Sequence, residues 1–257
     1  MRFASIGSGS KGNATLVDVD DRLVMIDCGF SVRETIRRMQ LLGVDPGQLD
    51  ALLVTHEHSD HSSGVARLSR KYKVPVYMTH GTCSTGRFEG SHEFRLFNCE
   101  DHFSIGNLEV TAVAVPHDAI EPCQYRLSCA GKNLGLLTDL GSVTPHVVSS
   151  YRVCQALILE FNHDLDMLRS GPYPWPLKQR VASRHGHLSN REAAEGIPEL
   201  DSSHLQWVVL YHLSRTNNLP ALAVDSVGEA LSREGSPAEI CVTSQFEPSP
   251  WMEIAPR

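Results

Sequence analysis

The sequence predicts a mixed α/β fold in which two β-sheets pack face to face with helices on the outside. Three observations carry this. Short β-rich runs fill the first half of the chain and recur in the second. Each batch is closed by segments of helical periodicity, and no linker, repeat or low-complexity tract lies between them. A length of 257 residues, 41% of them apolar, leaves ample core for one domain spanning residues 1–257.

The elements follow in order. Residues 3–6, 14–19 and 22–26 read as strands, with Asp20-Asp21 as the turn between the last two. A helix is expected over 32–42. There Ser31 and Glu34 make a capping box, Val32, Ile36 and Met39 share a face, and Gly43 provides the stop. Residues 50–55 form a buried strand, because Leu52, Leu53 and Val54 are apolar on both faces. A helix over 63–72 and a strand over 74–78 come next, then a hairpin of 103–105 and 108–115 about Gly106-Asn107. Strands fit 124–128, 134–138, 156–160, 205–211 and 240–243. Helices fit 190–197, where Ser189 and Glu192 repeat the capping box, and about 220–232, where Pro220 takes the first helical position.

Composition narrows the function. Thirty acidic against 23 basic side chains give a net charge of −7, which argues against a general nucleic-acid coat but leaves local fields open. No apolar run approaches the roughly 18 residues of a membrane span. The first residues lead straight into a strand, so no secretory leader and no membrane partner are expected. Seven cysteines without a Cys-x-x-Cys pair point to a reducing compartment, the cytoplasm, and away from a structural zinc knuckle. Two basic stretches contain no acid. One, over 65–73, reads as a solvated face. The other, over 168–191, carries Arg169, Lys178, Arg180, Arg184 and Arg191 with Tyr173 and Trp175.

The segment Thr55-His56-Glu57-His58-Ser59-Asp60-His61 carries the chemistry. A strand leads into His56 and a helix begins after His61. In extended chain His56 and His58 point the same way, and the turn into the helix sends Asp60 and His61 to a neighbouring location. One loop thus offers ligands to two cations. Imidazole and carboxylate without thiolate suit zinc, manganese or iron. Further ligands are expected at other strand ends, where His117, Asp139 and His212 each terminate an apolar run. The glycine-rich residues 7–13 read as a tight turn, with Ser8, Ser10 and Asn13 as weaker candidates for phosphate contact.

Taken in order, Asp27, His-x-His-x-Asp-His at 56–61, His117, Asp139 and His212 resemble the metallo-β-lactamase-fold hydrolases over nearly the whole chain. The resemblance implies an αββα four-layer sandwich with two divalent metal ions, zinc or manganese, at one edge of the sheets. It implies that His56, His58 and His117 bind the first, that Asp60, His61 and His212 bind the second, and that Asp139 bridges them. Asp27 would brace the ligands.

Three further segments narrow the resemblance: Leu159-Glu160-Phe161-Asn162-His163-Asp164, Gly186-His187-Leu188-Ser189-Asn190, and the run from His212 through Ser214 and Asn217 to Asn218. They resemble the YycJ/WalJ branch, related to PhnP-type phosphodiesterases and linked to 5′-to-3′ exonuclease action on DNA and to repair. Glu160 and His187 resemble the pair that tRNase Z-type nucleases use for proton transfer. The fit to hydrolysis of a phosphodiester is direct: Asp60 would orient water and His187, its proton held by Glu160, would serve the leaving oxygen. His163 and Asp164 are candidate braces of the site. Lys178, Arg180, Arg184, Ser214 and Asn217 are candidate contacts to DNA, duplex or single-stranded, with Tyr173 or Trp175 stacking on a base. Tyr211 ahead of His212 is bulkier than the family pattern. A small cyclic phosphodiester is the alternative substrate, a thioester or lactam a more distant one, and a binding protein on a decayed hydrolase fold the reading from another class.

Overall fold

The computed structural model describes residues 1–256. The first half of the chain builds β1 (Arg2–Gly7), β2 (Ala14–Val19), β3 (Arg22–Ile26), α1 (Val32–Leu41), β4 (Ala51–Leu53), α2 (Ser59–Ser62), α3 (Val65–Tyr72), β5 (Pro75–Thr79), α4 (His80–Ser84) and β6 (Glu93–Phe97). The second half builds β7 (His102–Ile105), β8 (Leu108–Ala114), β9 (Cys123–Cys129), β10 (Lys132–Leu137), α5 (Pro145–Tyr151), β11 (Ala156–Glu160), α6 (Leu165–Ser170), α7 (Trp175–Val181), α8 (Asn190–Gly196), β12 (Trp207–Tyr211), α9 (Pro220–Glu234), β13 (Glu239–Val242) and β14 (Met252–Glu253).

Two mixed seven-stranded sheets result, ordered β14-β1-β2-β3-β4-β5-β6 and β13-β12-β11-β10-β9-β8-β7. Each opens as an antiparallel meander and then turns parallel, at β3–β4 in one and β10–β11 in the other. Strand alternation distributes the apolar side chains between two destinations. Val24 and Ile26 of β3 and Ile158 of β11 point between the sheets, where they meet Phe3, Tyr125 and Leu136. Met25 points outward to Met39 of α1 and Leu68 of α3. Leu157 and Leu159 point outward to Val147 of α5, Ala193 of α8 and Val227 of α9. Each such side chain contributes about 1.5–3 kcal/mol by leaving water. The layers are α–β–β–α, as expected.

The helix expected over 63–72 is α3, and a short separate helical turn, α2, precedes it inside the histidine motif. The chain pivots at Gly64, whose N–H donates to the Cys28 carbonyl at 2.7 Å, and a Cβ there would lie 2.2 Å from the Phe30 carbonyl oxygen. Tyr211 has no part in the pocket. It is buried between the sheets, where its hydroxyl accepts from Thr15 Oγ1 at 3.1 Å. The stretch over 65–73 is a solvated face, with Arg67, Arg70, Lys71 and Lys73 all exposed. Among the described residues no helix is long and apolar enough to cross a membrane.

Candidate functional site

The carboxyl ends of β3, β4, β10, β11 and β12 meet at one edge of the sandwich, the place where open α/β sheets leave a crevice. Asp27 follows β3, His56 follows β4, Asp139 follows β10, Glu160 ends β11 and His212 follows β12. Asp27, Asp139 and His212 take left-handed backbone, with φ of 59°, 47° and 55°. That conformation is costly for residues other than glycine and turns each side chain sharply off its strand toward the others.

Four imidazoles are held in the same way. His56 Nδ1 faces Thr55 Oγ1 at 2.9 Å, and that hydroxyl donates onward to Asp27 Oδ2 at 2.8 Å. His61 Nδ1 donates to Asp27 Oδ2 at 2.7 Å. His117 Nδ1 donates to the Gly186 carbonyl at 3.2 Å, and His212 Nδ1 to Glu160 Oε1 at 3.0 Å. An acceptor at Nδ1 fixes the tautomer and leaves a lone pair on each Nε2. Those lone pairs converge on one another and on carboxylates. His61 Nε2 is 2.5 Å from Asp139 Oδ2, His212 Nε2 is 3.3 Å from Asp60 Oδ2, and His117 Nε2 is 3.2 Å from His58 Nδ1. His56 Nε2 and both Asp139 oxygens are buried without a hydrogen-bond partner.

Nitrogen and carboxylate ligand atoms crowded so closely are a donor set consistent with bound cations. The groupings fit two. His56, His58 and His117 put ligand atoms within 4.8 Å of one another, as do Asp60, His61 and His212. Asp139 groups with His56 and His61 and again with His212, so it stands between the two sets. Burial lowers the proton affinity of His56 and His117, which suits neutral imidazole ligands.

Glu160 is saturated. Its Oε2 accepts from the backbone N–H of Leu140 at 3.0 Å and Leu188 at 3.1 Å, while Oε1 takes His187 Nδ1 at 2.7 Å as well as His212. Burial pushes its carboxyl up, but the charge and hydrogen bond of His187 outweigh it and bring the pKa down to about 2. Burial likewise works against the His187 imidazolium, and Glu160 with Asp139, 3.1 Å away, raises it to about 9. The helix that follows His187 would disfavour its charge, and the two carboxylates override it.

These groups open into a cavity of about 390 Å³ walled by Tyr173, Leu177 and Arg180 on and before α7, by Arg87, by Ser10, and by Ser214. Arg180 pairs with Asp118, also on the wall. Several candidates fall elsewhere. The Lys178 ammonium donates to the Arg169 carbonyl at 2.6 Å and Arg184 is exposed, both outside the cavity, as is the exposed Trp175. Asn217 is buried and its amide makes no hydrogen bond, so it contacts no substrate from where it lies. Asp164 caps α6, accepting from Asp166 N and Met167 N, and braces no ligand. His163 is fully buried outside the ligand groupings, its backbone paired with Ser189. Asn13 faces inward, its amide nitrogen 3.3 Å from Asp60 Oδ2, and the Ser8 hydroxyl takes the His212 N–H at 2.7 Å; of that loop only Ser10 reaches the cavity.

Sequence reasoning missed Arg87, Asp118 and the second bond of Glu160. It also missed Glu57, whose Oε1 accepts from Ile120 N at 3.0 Å and ties the loop bearing His117 to the histidine motif. A charged residue inside the motif was the only signal for that role.

Comparison with known proteins agrees with this geometry. The family described as Beta-lactamase superfamily domain matches residues 22–213. Exodeoxyribonuclease YycJ of Bacillus anthracis is 34% identical over 240 residues, covering 91% of this chain and 90% of its own. Exodeoxyribonuclease WalJ of Streptococcus pneumoniae is 32% identical over 265 residues, covering 99% and 98%. The crystal structure of the metallo-β-lactamase-fold protein YhfI from Bacillus subtilis shares the fold at a TM-score of 0.74 with 16% identity, covering 96% of this chain and 98% of its own. The chain therefore belongs to the metallo-β-lactamase superfamily, as a metallo-hydrolase homologous to the YycJ and WalJ exodeoxyribonucleases over nearly its full length.

Proposed function

We propose that the chain is a metal-dependent phosphodiesterase that removes nucleotides from DNA ends in the 5′-to-3′ direction, with a part in repair. The observation that carries this is the 34% identity to an exodeoxyribonuclease over nine-tenths of both chains. The site's chemistry suits it. His56, His58 and His117 would hold one cation, Asp60, His61 and His212 the other, with Asp139 reaching both. When bound, two such ions, zinc or manganese, supply an acidified water and charge stabilisation for the phosphoryl oxygens.

The remaining work falls to this chain's own groups. Asp27 fixes His61 and, through Thr55, His56. Asp60 borders the cavity and orients the attacking water. His187 lines the same cavity with Nδ1 held by Glu160, so Nε2 presents a proton to the leaving alkoxide. Arg180 and Ser214 contact phosphate oxygens, and Tyr173 offers a face to the terminal base. A cavity of about 390 Å³ also suits a small cyclic phosphodiester, the second reading.

The test incubates purified protein with manganese or zinc and end-labelled duplex, single-stranded and cyclic substrates, with His58→Ala as control. Stepwise release of nucleotides from 5′-phosphorylated DNA is expected, abolished in the control. Cleavage of the cyclic phosphate alone would overturn the exonuclease reading.

A further inference from the structure

A second cavity, about 440 Å³, lies on the far side of the loop that carries His212. The two are neighbours. Ser214 lines both, and of the glycine-rich loop Ser10 faces the first and Ser8 the second. The partition is thin, since the backbone N–H of His212 itself donates to Ser8 Oγ. In a chain with 30 acidic residues, none lines this second cavity, and its only charge is Arg215.

At its rim Phe246 is 57% exposed, with the Arg215 guanidinium 4.7 Å from its ring centroid. The turn that presents the ring is tied down on every side. Ser8 N donates to the Ser244 carbonyl at 2.9 Å, and Phe246 N to Ser244 Oγ at 3.0 Å. The Gln245 amide donates to the Gly12 carbonyl at 2.9 Å and accepts from Lys11 N at 2.7 Å. Arg38 donates to the Gln245 carbonyl at 3.0 Å. An aromatic face held out to solvent on so fixed a turn, with a cation over it, is a pre-organised stacking platform.

We propose that this groove takes the nucleotide adjoining the scissile phosphate on the strand being digested, its base on Phe246 and its phosphate on Arg215. The inference rests on the exonuclease reading and deepens it: the first cavity holds the terminal nucleotide, and the strand leaves over Ser214 into the second. A polyanion is the occupant that an acid-free groove with one arginine fits inside a net-negative protein, and continuity with the catalytic cavity makes it the same strand.

Two measurements test it, on Phe246→Ala, Phe246→Trp and Arg215→Ala, all at exposed positions. The first is the ratio of kcat/KM for single-stranded dodecathymidylate to that for bis(p-nitrophenyl) phosphate, a p-nitrophenyl ester that carries no base to stack. Phe246→Ala should lower this ratio about 5- to 100-fold, the range of one lost base stack, and Phe246→Trp should restore it. The second is binding in EDTA of a single-stranded dodecamer carrying 2-aminopurine next to its 5′-terminal nucleotide. The parent and Phe246→Trp should quench its fluorescence and Phe246→Ala should not. Arg215→Ala should flatten the salt dependence of binding by about one phosphate contact. Unchanged ratio and quenching in Phe246→Ala, in protein that still digests DNA, overturn the groove alone. A parent protein that cleaves the p-nitrophenyl ester but no oligonucleotide overturns the exonuclease reading, and the groove with it.

Discussion

Glu160 Oε1 lies 3.0 Å from His212 Nδ1 and 2.7 Å from His187 Nδ1, so one carboxylate oxygen serves a metal-facing imidazole and the proposed proton donor together. The two partners should separate on mutation. His187→Gln should slow DNA cleavage about 10²- to 10⁴-fold while two metal ions per chain are still bound. A p-nitrophenyl leaving group needs no proton, so its loss should be far smaller. Glu160→Gln should lower the rate and also weaken metal binding, because His212 loses its orienting acceptor. Metal content by elemental analysis, set beside single-turnover rates on both esters, checks this. Equal losses on both esters in His187→Gln would remove the proton from its role.

Asp27 acts on two ligands from behind. It holds His61 Nδ1 directly and reaches His56 through the Thr55 hydroxyl. Asp27→Asn keeps the volume but offers an amide where two acceptor oxygens stood. Metal affinity should fall about 10- to 100-fold, measured by competition with a chromogenic chelator. The apo protein should melt lower than the loaded one in both chains, with the gap smaller in the variant.

Much of this site was legible because four ligand candidates share one closely spaced motif at 56–61 and three others, His117, Asp139 and His212, each end an apolar run. Val208-Val209-Leu210-Tyr211-His212 reads as a buried strand that ends at a histidine. The left-handed backbone at Asp27, Asp139 and His212 was not legible, since no local rule demands it of Asp or His there. The double duty of Glu160 depends on partners 27 and 52 residues away, brought close only by β11 pairing with β12 and by the return at Leu188. The strand β6 escaped notice because four of its five residues are exposed at a sheet edge and carry no burial pattern. Helix α7 was not foreseen amid closely spaced prolines, yet Pro174 and Pro176 sit at and just inside its start, where a missing N–H costs nothing. Asp164 shows the converse error: a polar residue beside a site can belong wholly to a helix cap.

Arg180 and Lys178 sit two residues apart on α7 and should behave differently. Arg180 lines the cavity beside Asp118, whereas the Lys178 ammonium is engaged by the Arg169 carbonyl outside it. Arg180→Glu places two carboxylates together on the cavity wall. It should raise KM for DNA several-fold and flatten its dependence on salt by about one phosphate contact. Lys178→Glu should shift both much less. Steady-state KM across a potassium chloride series distinguishes them, and equal effects would move the strand to the outer face of α7.

Arg38 links helix α1 to the end of β1 and to the turn at Gln245, and Glu34 sets its charge environment. The buried guanidinium donates to Glu34 Oε1 at 2.7 Å, to the Ile6 carbonyl at 2.9 Å and to the Gln245 carbonyl at 3.0 Å, and lies 4.1 Å from the centre of the Phe30 ring. Hydrogen bonds from Arg37 and then Arg38 outweigh partial burial and bring the Glu34 carboxyl down to about 2. Its folded pKa lies below its unfolded one, so the stabilisation is fully present above about pH 4.5 and is lost as pH falls through about 2. Glu34 is a third exposed, which screens the interaction well below what the full shift would supply. Glu34→Gln should therefore cost about 1 kcal/mol at pH 7, a fall in Tm of about 2–4 °C. Melts of both proteins followed by circular dichroism at pH 7, 4.5 and 3.5 should show the gap narrowing at the last of these. A gap that stays constant down to pH 3.5 would assign the loss to packing around Arg38 and not to the carboxylate's charge.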